Sequence, residues 1–239
     1  MIFDVIVAGG GHAGIEAAAA AAKLGMNTAL ITMDKNGLGR LSCNPAIGGS
    51  AKGHLVYEID ALGGIIGILA DKTGIQFRTL NKSKGPAVWA GRSQADRDYY
   101  TVVAGQIMSE VKNLTIIEDS VVDCFVEAGR IKGIKTKKGL EYCCKAFIIC
   151  SGTFLNGKMF TGEDTTIGGR FGEEAVYGLT ESLEKIGFVS GRLKTGTPAR
   201  LHKDSLNYNL LKEQAGDENP EPFSHKTDKS KFPELPQIS

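Results

Sequence analysis

Three glycines near the start of the chain have the spacing of a dinucleotide-binding loop. Gly9-x-Gly11-x-x-Gly14 stands between a short apolar run, residues 3–8, and an alanine-rich run, residues 15–24. In such a loop the first glycine permits a tight turn, the second lets a pyrophosphate approach the backbone, and the third lets a helix pack closely on a strand. The N–H groups at the helix N-terminus attract the phosphates. The segment therefore predicts a bound dinucleotide.

The identity of the dinucleotide depends on two further segments. Thr32 stands where a ribose-binding carboxylate is expected, and Asp34 follows two residues later, so ribose binding by a carboxylate and a plain loop role for Asp34 both remain open. Residues 145–153 (KAFIICSGT) resemble the strand and glycine turn with which two-dinucleotide-domain flavoproteins return to their first motif. This second segment favours FAD over NAD.

Cys43 lies in a loop rich in glycine and proline, SCNPAIGG at residues 42–49. A thiol there could face a flavin or a substrate, but thiolate formation requires a positive neighbour, for which Arg40, Lys52 and His54 are the candidates by sequence. The residue types alone leave a functional and a structural Cys43 equally open. The other four cysteines are interpreted as buried or half-buried thiols, and the absence of CxxC or zinc-ligand spacing predicts no metal site.

Basic residues concentrate in two segments that could hold RNA phosphates or form a solvated surface. The segment 78–97 has five basic side chains against Asp96, and the second segment, 192–203, also includes His202. The basic residues are Arg78, Lys82, Lys84, Arg92 and Arg97 in the first, and Arg192, Lys194, Arg200 and Lys203 in the second.

The elements that must position these residues alternate between strand and helix. Apolar runs at residues 3–8, 27–32 and 146–150 are typical of a buried parallel sheet. Alternating runs predict a small antiparallel sheet over 115–144, and residues 73–91 are predicted to be irregular. Helices are expected at residues 15–24, 53–62, 94–112 and 174–186. We therefore predict an α/β fold: a Rossmann-like domain over 1–200 with a small antiparallel β insertion, which lacks its closing C-terminal elements, followed by a truncated, mobile segment, 201–239.

Composition excludes several classes of protein. The chain has 239 residues, 28 Lys and Arg against 27 Asp and Glu, a net charge of +1, and 42% hydrophobic residues. These values exclude a disordered tail and a coiled coil, and no apolar run approaches the roughly 18 residues of a membrane span. The N-terminus has no signal-peptide pattern, and the cysteine usage fits a reduced, cytoplasmic protein.

Together these motifs resemble the GidA/MnmG family, flavoproteins that act on the wobble uridine of transfer RNA. The matching segments are GGGHAG (9–14), SCNPAIGGSAKGHLVYEIDALGG (42–64), GIQFRTLNKSKGPAV (74–88), QADR (94–97) and GRLKTGTPARL (191–201). The 42–64 segment is the most specific of them, because it is not a general flavoprotein feature.

The resemblance implies which residues bind the cofactor. FAD would contact Gly9, Gly10, Gly11, His12, Ala13 and Gly14, with Val121 near the adenine. Val176 matches a flavin contact but has no hydroxyl, so it would contribute only backbone or packing. Cys43 matches a cysteine that takes part in catalysis. Family members are more than about twice this length, so whole domains are expected beyond this N-terminal portion. That further part of the protein would contain the second family cysteine and a helical domain. It would also contain the rest of the NADH-binding insertion, which starts at 201–239.

The resemblance also implies the reaction and its partners. A Cys43 thiolate would add to the uracil ring and activate C5. Methylenetetrahydrofolate would donate the carbon and NADH the electrons, and an aminomethyl or carboxymethylaminomethyl group would result. The partners would be tRNA, the GTPase MnmE and a second copy of the protein.

Three alternatives are kept. A folate- and FAD-dependent tRNA uracil-5-methyltransferase shares the glycine loop but lacks the SCNPAIGG segment. A flavin-dependent thiol oxidoreductase would require a CxxC, for which the neighbouring Cys143 and Cys144 are a weak substitute. A non-catalytic FAD- or RNA-binding fragment would bind ligands without turning them over.

Overall fold

The computed structural model describes residues 2–196, 198–199 and 201–239, which form two compact units. The first unit comprises the chain up to Ser42 with Gly63–Ile65 and Asp98–Ser190. The second comprises Cys43–Leu62, Ile66–Arg97 and Gly191–Ser239. Arg200, a member of the second basic segment, lies outside the described residues. The predicted domain division at residue 200 stays a prediction.

Strands and helices alternate through most of the chain. The strands are β1 (Ile2–Ala8), β2 (Thr28–Thr32), β3 (Ala46–Gly48), β4 (Gly74–Leu80), β5 (Ala90–Ala95), β6 (Leu114–Glu118), β7 (Val121–Glu127), β8 (Arg130–Thr136), β9 (Glu141–Ile149), β10 (Lys158–Thr161) and β11 (Asp164–Ile167). The α-helices are α1 (His12–Lys23), α2 (Gly53–Ala61), α3 (Ile66–Thr73), α4 (Arg97–Ser109) and α5 (Leu179–Lys185).

The first unit is built on a six-stranded sheet in the order β6-β2-β1-β9-β8-β7. The four strands β6, β2, β1 and β9 are parallel, and β8 and β7 continue the sheet antiparallel. All five residues of β2 are buried, as its unbroken apolar pattern predicts for a central parallel strand. This arrangement, with α1 crossing from β1 to β2, confirms the predicted Rossmann-like α/β fold.

Strand β9 joins the parallel and antiparallel parts of this sheet. It pairs with β1 from Ile2 opposite Cys143 to Ala8 opposite Ile149, and near its start Cys143 also faces Gly133 of β8. The sequence predicted two separate strands here, 141–144 and 146–150. They form one strand because the polar Lys145 side chain points to the surface, where it forms an ion pair of 2.7 Å with Asp4.

One hydrophobic cluster of the first unit lies on the sheet face covered by α5. Phe3, Ile6, Ile31 and Ile134 are at most 2% exposed there, and Leu179 of α5 packs among them. The sequence predicted this helix over 174–186, but residues 174–178 precede it. Gly178 at φ +99° forms the start, and its N–H donates to the Glu181 carboxylate.

The second unit has a three-stranded antiparallel sheet in the order β3-β5-β4. Residues 73–91 were predicted to be irregular, and this prediction was wrong for β4. The polar residues Gln76 and Arg78 obscure the alternation of apolar and polar residues that predicts a strand. Pairing with β5 supplies the backbone hydrogen bonds of β4. Two residues of the last segment, Phe223 and Ser224, are buried in this unit. The mobility of 201–239 stays a prediction.

Among the described residues, no single helix is long and apolar enough to cross a membrane. The short helices α2 and α3, bent by 117° relative to each other, meet that length and composition only when they are taken together.

Candidate functional site

The loop between β1 and α1 follows the geometry that its glycines predict. Gly9 has φ +109°, and a Cβ added there would overlap the carbonyl oxygen of Cys150 at the end of β9. A Cβ on Gly14 would overlap the carbonyl oxygen of Gly9. Both positions therefore require glycine for contacts within the protein, one for the tight turn and one for the approach of α1 to the loop.

Gly11 differs from both because it faces open space. It is the N-cap of α1, and a Cβ added to it would have no atom of the described residues within 4 Å, its chain neighbours aside. No side chain in the described part of the protein caps this helix, and its first turn contains no acidic residue. The free N–H groups and the positive end of the helix dipole are therefore available to an anion that approaches across Gly11.

His12 begins α1 and is half-buried beside Tyr100. The two ring centroids are 5.5 Å apart, and no described residue hydrogen-bonds the buried His12 Nε2. Burial and, secondarily, the positive charge of Arg170 lower the pKa of His12. A neutral imidazole at pH 7 follows, which suits packing or a neutral ligand contact better than a charged contact.

Two neighbours complete the loop. A Cβ on the buried Gly10 would lie 2.6 Å from Thr32 Oγ1 at the end of β2, so this glycine lets the loop pass close to that strand. Ala13 is exposed on the first turn of α1.

The carboxylate of Asp34, which follows β2, already forms contacts within the protein. Asp34 Oδ2 lies 2.7 Å from Arg40 Nη2, and Asp34 Oδ1 accepts a hydrogen bond from the N–H of Asn36. Arg40 also pairs with Glu173, with Nη1 and Oε1 2.8 Å apart. Burial works against the charge of Arg40, but the hydrogen bonds to Glu173 and Asp34 outweigh it and raise its pKa. Asp34 therefore fits the loop role rather than that of a free ribose-binding carboxylate.

A cavity of about 400 Å³ opens beside the end of β2 in the first unit. Four separate segments line it: the residue after β2, the β6–β7 connection with the start of β7, the β8–β9 connection, and the segment from β11 towards α5. The lining residues are Met33, Ser120, Val122, Lys137, Ile167, Glu174, Ala175, Val176 and Tyr177.

The two valines singled out from the sequence meet this cavity in different ways. Val176 lines it, while its N–H donates to Phe154 O at 2.8 Å and its carbonyl accepts from Asn156 N at 2.9 Å. Val176 therefore offers mainly its apolar side chain. Val121 is 4% exposed with its side chain in the core, while its neighbours Ser120 and Val122 line the cavity. A ligand there would meet the backbone of Val121.

An ion pair stands among the lining residues. Lys137 Nζ and Glu174 Oε2 are 2.6 Å apart, and both side chains are largely exposed. The hydrogen bond and charge of Lys137 lower the pKa of Glu174. No local pattern marks either residue, or Met33, as part of a site, because the cavity exists only once the sheet and the 174–177 segment are folded together.

Cys43 belongs to the second unit, where its side chain is exposed three residues before β3. Lys52 and His54, two of its candidate neighbours by sequence, are exposed at the start of α2, and the third, Arg40, pairs with two carboxylates in the first unit. The described residues contain no group of three or more His, Cys, Asp or Glu that could hold a metal ion.

The glycines that follow Cys43 have a packing role. Gly48 has φ +81°, and a Cβ on it would overlap the carbonyl oxygen of Gly91 in β5. A Cβ on Gly53 at the start of α2 would lie 2.6 Å from the same oxygen. These two glycines let β3 and α2 pack on β5, which explains part of the glycine-rich pattern without a ligand.

The first basic segment is partly neutralised. Lys82 Nζ lies 2.9 Å from Asp217 Oδ1, and Arg78 donates to the Gln214 side chain at 2.7 Å. Lys84 is exposed and forms no ion pair with the described residues. In the second segment His202 Nδ1 lies 3.5 Å from Asp204 Oδ2, and Lys203 is exposed.

Comparison with known proteins decides the family. The model of the glucose inhibited division protein A family matches residues 4–239. The chain belongs to the GidA family. A GidA relative in Thermodesulfovibrio yellowstonii, named tRNA uridine 5-carboxymethylaminomethyl modification enzyme MnmG, is 51% identical over 98% of this chain and 38% of its own length. The enzyme of the same name in Protochlamydia amoebophila is 49% identical over 99% of this chain and 37% of its own length.

A solved GidA structure confirms the fold. Aquifex aeolicus GidA, in its form I crystal, superposes with a TM-score of 0.93 at 44% identity, covering 100% of this chain and 40% of that one. The chain thus spans about two fifths of the length of the relatives that it matches. Family membership and the Rossmann-type α/β fold are established for this part.

Proposed function

We propose that this chain is the FAD-binding part of an enzyme that modifies the wobble uridine of tRNA at C5. The observation that carries the proposal is the open space across Gly11, at the uncapped N-terminus of α1, in a loop whose other glycines are required for packing. Membership of the GidA family, and the names of relatives 49–51% identical to it, support the tRNA substrate.

The residues present fit a dinucleotide. The N–H groups of Gly11 and the first turn of α1 would hold the pyrophosphate. The cavity of about 400 Å³ would take the adenosine part, with apolar contact from Val176 and Met33 and backbone contact at Val121. That volume lies within the range of small-molecule sites. Arg40 and Asn36 occupy both carboxylate oxygens of Asp34, whereas Lys137 pairs with the lining carboxylate Glu174 through Oε2, so Oε1 of Glu174 would accept a ribose hydroxyl.

The redox and one-carbon chemistry belongs to the cofactor and co-substrates. Bound FAD supplies hydride-transfer chemistry, with NADH as reductant and methylenetetrahydrofolate as carbon donor. The contribution of the chain is covalent and electrostatic. The thiolate of Cys43 adds to the uracil ring, which places negative charge on C5 and makes that carbon nucleophilic. After C5 is substituted, a base takes the C5 proton, the carbon–sulfur bond breaks as the ring double bond reforms, and the thiolate is restored.

The proposed partners follow the same family. Basic residues of the two segments described above would hold tRNA phosphates, the GTPase MnmE would bind the longer protein, and the protein would form homodimers in the cytoplasm. An aminomethyl or carboxymethylaminomethyl group would be the product.

The experiment combines flavin release with tRNA analysis. The protein as the cell makes it should be yellow, release about one FAD per chain on denaturation, and restore wobble-uridine modification to tRNA from cells that lack it. Colourless protein that still binds tRNA would instead indicate a non-catalytic RNA-binding role. Methylation of a uridine outside the anticodon would indicate the uracil-5-methyltransferase.

A further inference from the structure

A short segment after β11 brings an arginine close to the turn that follows β9. A Cβ on Gly169 would overlap the ring of Phe154, and the Gly169 carbonyl accepts a hydrogen bond of 2.6 Å from Thr153 Oγ1. Glycine at 169 therefore lets the backbone lie directly on Phe154. The next residue, Arg170, is held over this same ring.

The turn that supports Arg170 is also the neighbour of the dinucleotide loop. The N–H of Cys150 donates to Ala8 O at 2.8 Å, and the Cys150 carbonyl occupies the space beside Gly9. Four residues later, the N–H of Phe154 closes the turn on Ser151 O at 3.1 Å. The turn under Arg170, residues 150–154, is thus hydrogen-bonded to Ala8 at the end of β1, where the glycine loop starts.

Two contacts hold the Arg170 guanidinium while leaving it largely unneutralised. Its central carbon lies 5.3 Å from the centre of the Phe154 ring, a cation–π contact. Its Nη1 lies 3.4 Å from Glu173 Oε1, but the same oxygen is 2.8 Å from Arg40 Nη1. Glu173 is therefore shared with a closer partner. Among the described residues, no other side chain or backbone oxygen accepts a hydrogen bond from this guanidinium.

The field of Arg170 reaches the start of α1. After burial, its positive charge is the second cause that lowers the pKa of His12, the first residue of that helix. The Arg170 side chain is 28% exposed, so it is accessible to a ligand and also partly shielded from water. A fixed cation near an open helix N-terminus is the arrangement that favours a doubly charged anion.

We propose that Arg170 is a further cofactor-binding residue, whose guanidinium donates to the pyrophosphate of the dinucleotide bound across Gly11. This inference rests on the proposed function. The planar guanidinium can donate two parallel hydrogen bonds to phosphate oxygens, and Phe154 and Glu173 orient it before the ligand arrives. Arg170 supplies a full charge where the helix supplies only a partial one.

The test compares Arg170→Gln with Arg130→Gln, an exposed arginine at the start of β8 that serves as the matched control. FAD affinity is measured by fluorescence quenching at several salt concentrations in the protein as the cell makes it, and ADP is titrated as a competitor. We expect Arg170→Gln to weaken both ligands by about tenfold or more, with a smaller dependence on salt. Arg130→Gln should change neither.

A second variant separates the charge of Arg170 from the geometry of its donors. Arg170→Lys keeps the charge but not the forked donor geometry, so we expect an intermediate FAD affinity with the salt dependence of the unaltered protein. Equal FAD affinity and equal salt dependence in the unaltered protein and Arg170→Gln would overturn the role of Arg170 alone. An unaltered protein that binds no FAD would overturn the proposed function itself.

Discussion

Asp34 and Arg40 form an ion pair, with Asp34 Oδ2 2.7 Å from Arg40 Nη2, directly after the strand whose end normally presents a ribose-binding carboxylate. Asp34 is the acidic residue nearest the ribose-binding position in the sequence, and its carboxylate is already paired with Arg40. Arg40 continues the contact to Glu173, so the loop after β2 is tied to the segment that carries Arg170 and part of the cavity wall. In the proposed cofactor site these ion pairs would shape the walls, and the ribose contact would come from Glu174.

Asp34→Asn should therefore leave FAD binding nearly unchanged. We expect the dissociation constant to stay within about threefold, because the lost charge contacts Arg40 rather than ligand. Fluorescence titration checks this, with Glu174→Gln as the comparison that we expect to weaken binding more. A loss of tenfold or more in Asp34→Asn alone would show that Asp34 leaves Arg40 and binds the ribose.

Two glycine substitutions separate ligand space from packing. Gly11→Val places its Cβ where, chain neighbours aside, no atom of the described residues lies within 4 Å, so stability should change by no more than about 1 kcal/mol while FAD binding is lost. Gly14→Val forces the Cβ into the Gly9 carbonyl and should destabilise the fold by about 3 kcal/mol. Urea unfolding and flavin titration measure the two effects. Normal flavin content in a folded Gly11→Val protein would contradict the assignment.

Cys43→Ser tests the thiol in the second unit. We expect the protein to keep its FAD and to lose tRNA modification, because a serine hydroxyl does not form the anion needed to attack the ring at neutral pH. Cys143→Ser is the control, since Cys143 is also exposed but lies on β9. Normal accumulation of modified tRNA in cells carrying Cys43→Ser would make Cys43 a structural residue.

Lys82 and Lys84 offer a matched pair for the RNA interface. Lys82 is paired with Asp217 at 2.9 Å, whereas the exposed Lys84 has no ion pair among the described residues. Lys84→Gln should weaken tRNA binding and reduce the slope of log affinity against log salt by about one, with a smaller effect for Lys82→Gln. Filter binding at several salt concentrations measures both slopes. Identical slopes in all three proteins would assign the segment to a solvated surface.

Asp60 and Asp71, which hold residues 223–227 in the second unit, should affect stability in opposite directions with pH. Asp71 accepts from Phe223 N, Ser224 N and Thr227 Oγ1, yet burial raises its pKa above the ordinary 3.8. Burial also opposes the charge of Asp60, but hydrogen bonds from Ser224 and His225 lower its pKa below 3.8.

The direction of each pH effect follows from the linkage between proton binding and folding. The raised pKa of Asp71 gives stability at low pH that is lost as the pH rises from 3.8 through its folded pKa. The lowered pKa of Asp60 gives stability above 3.8 that is lost as the pH falls through its folded pKa. Urea unfolding between about pH 2 and 6 measures these contributions. As the pH falls, Asp60→Asn should lose less stability than the unaltered protein. Asp71→Asn should lack the loss of stability that Asp71 causes as the pH rises. Asp71→Asn should also cost about 2 kcal/mol, since an amide group would face backbone N–H donors. Parallel pH profiles in both variants would refute this assignment.

The sequence predicted what local geometry determines. Gly9 and Gly14 could be assigned because a strand, a tight turn and a helix follow one another within a few residues, and each glycine has its own steric reason. Strand β4 could not be assigned because its Gln76 and Arg78 are stabilised by residues near 214, far along the chain. The cavity was missed for the same reason: Met33, Lys137 and Glu174 become neighbours only in the folded sheet.

The central position of β9 affects how the protein is made. The carbonyl of Cys150 completes the surroundings of Gly9, although 140 residues separate the two in the chain. At the roughly 5–20 residues per second of synthesis, the glycine loop leaves the ribosome several seconds or more before its partner strand exists. During that interval β1 and β2 present unpaired edges and apolar faces. The nascent chain is therefore the form of the protein most open to chaperone binding and to misassociation.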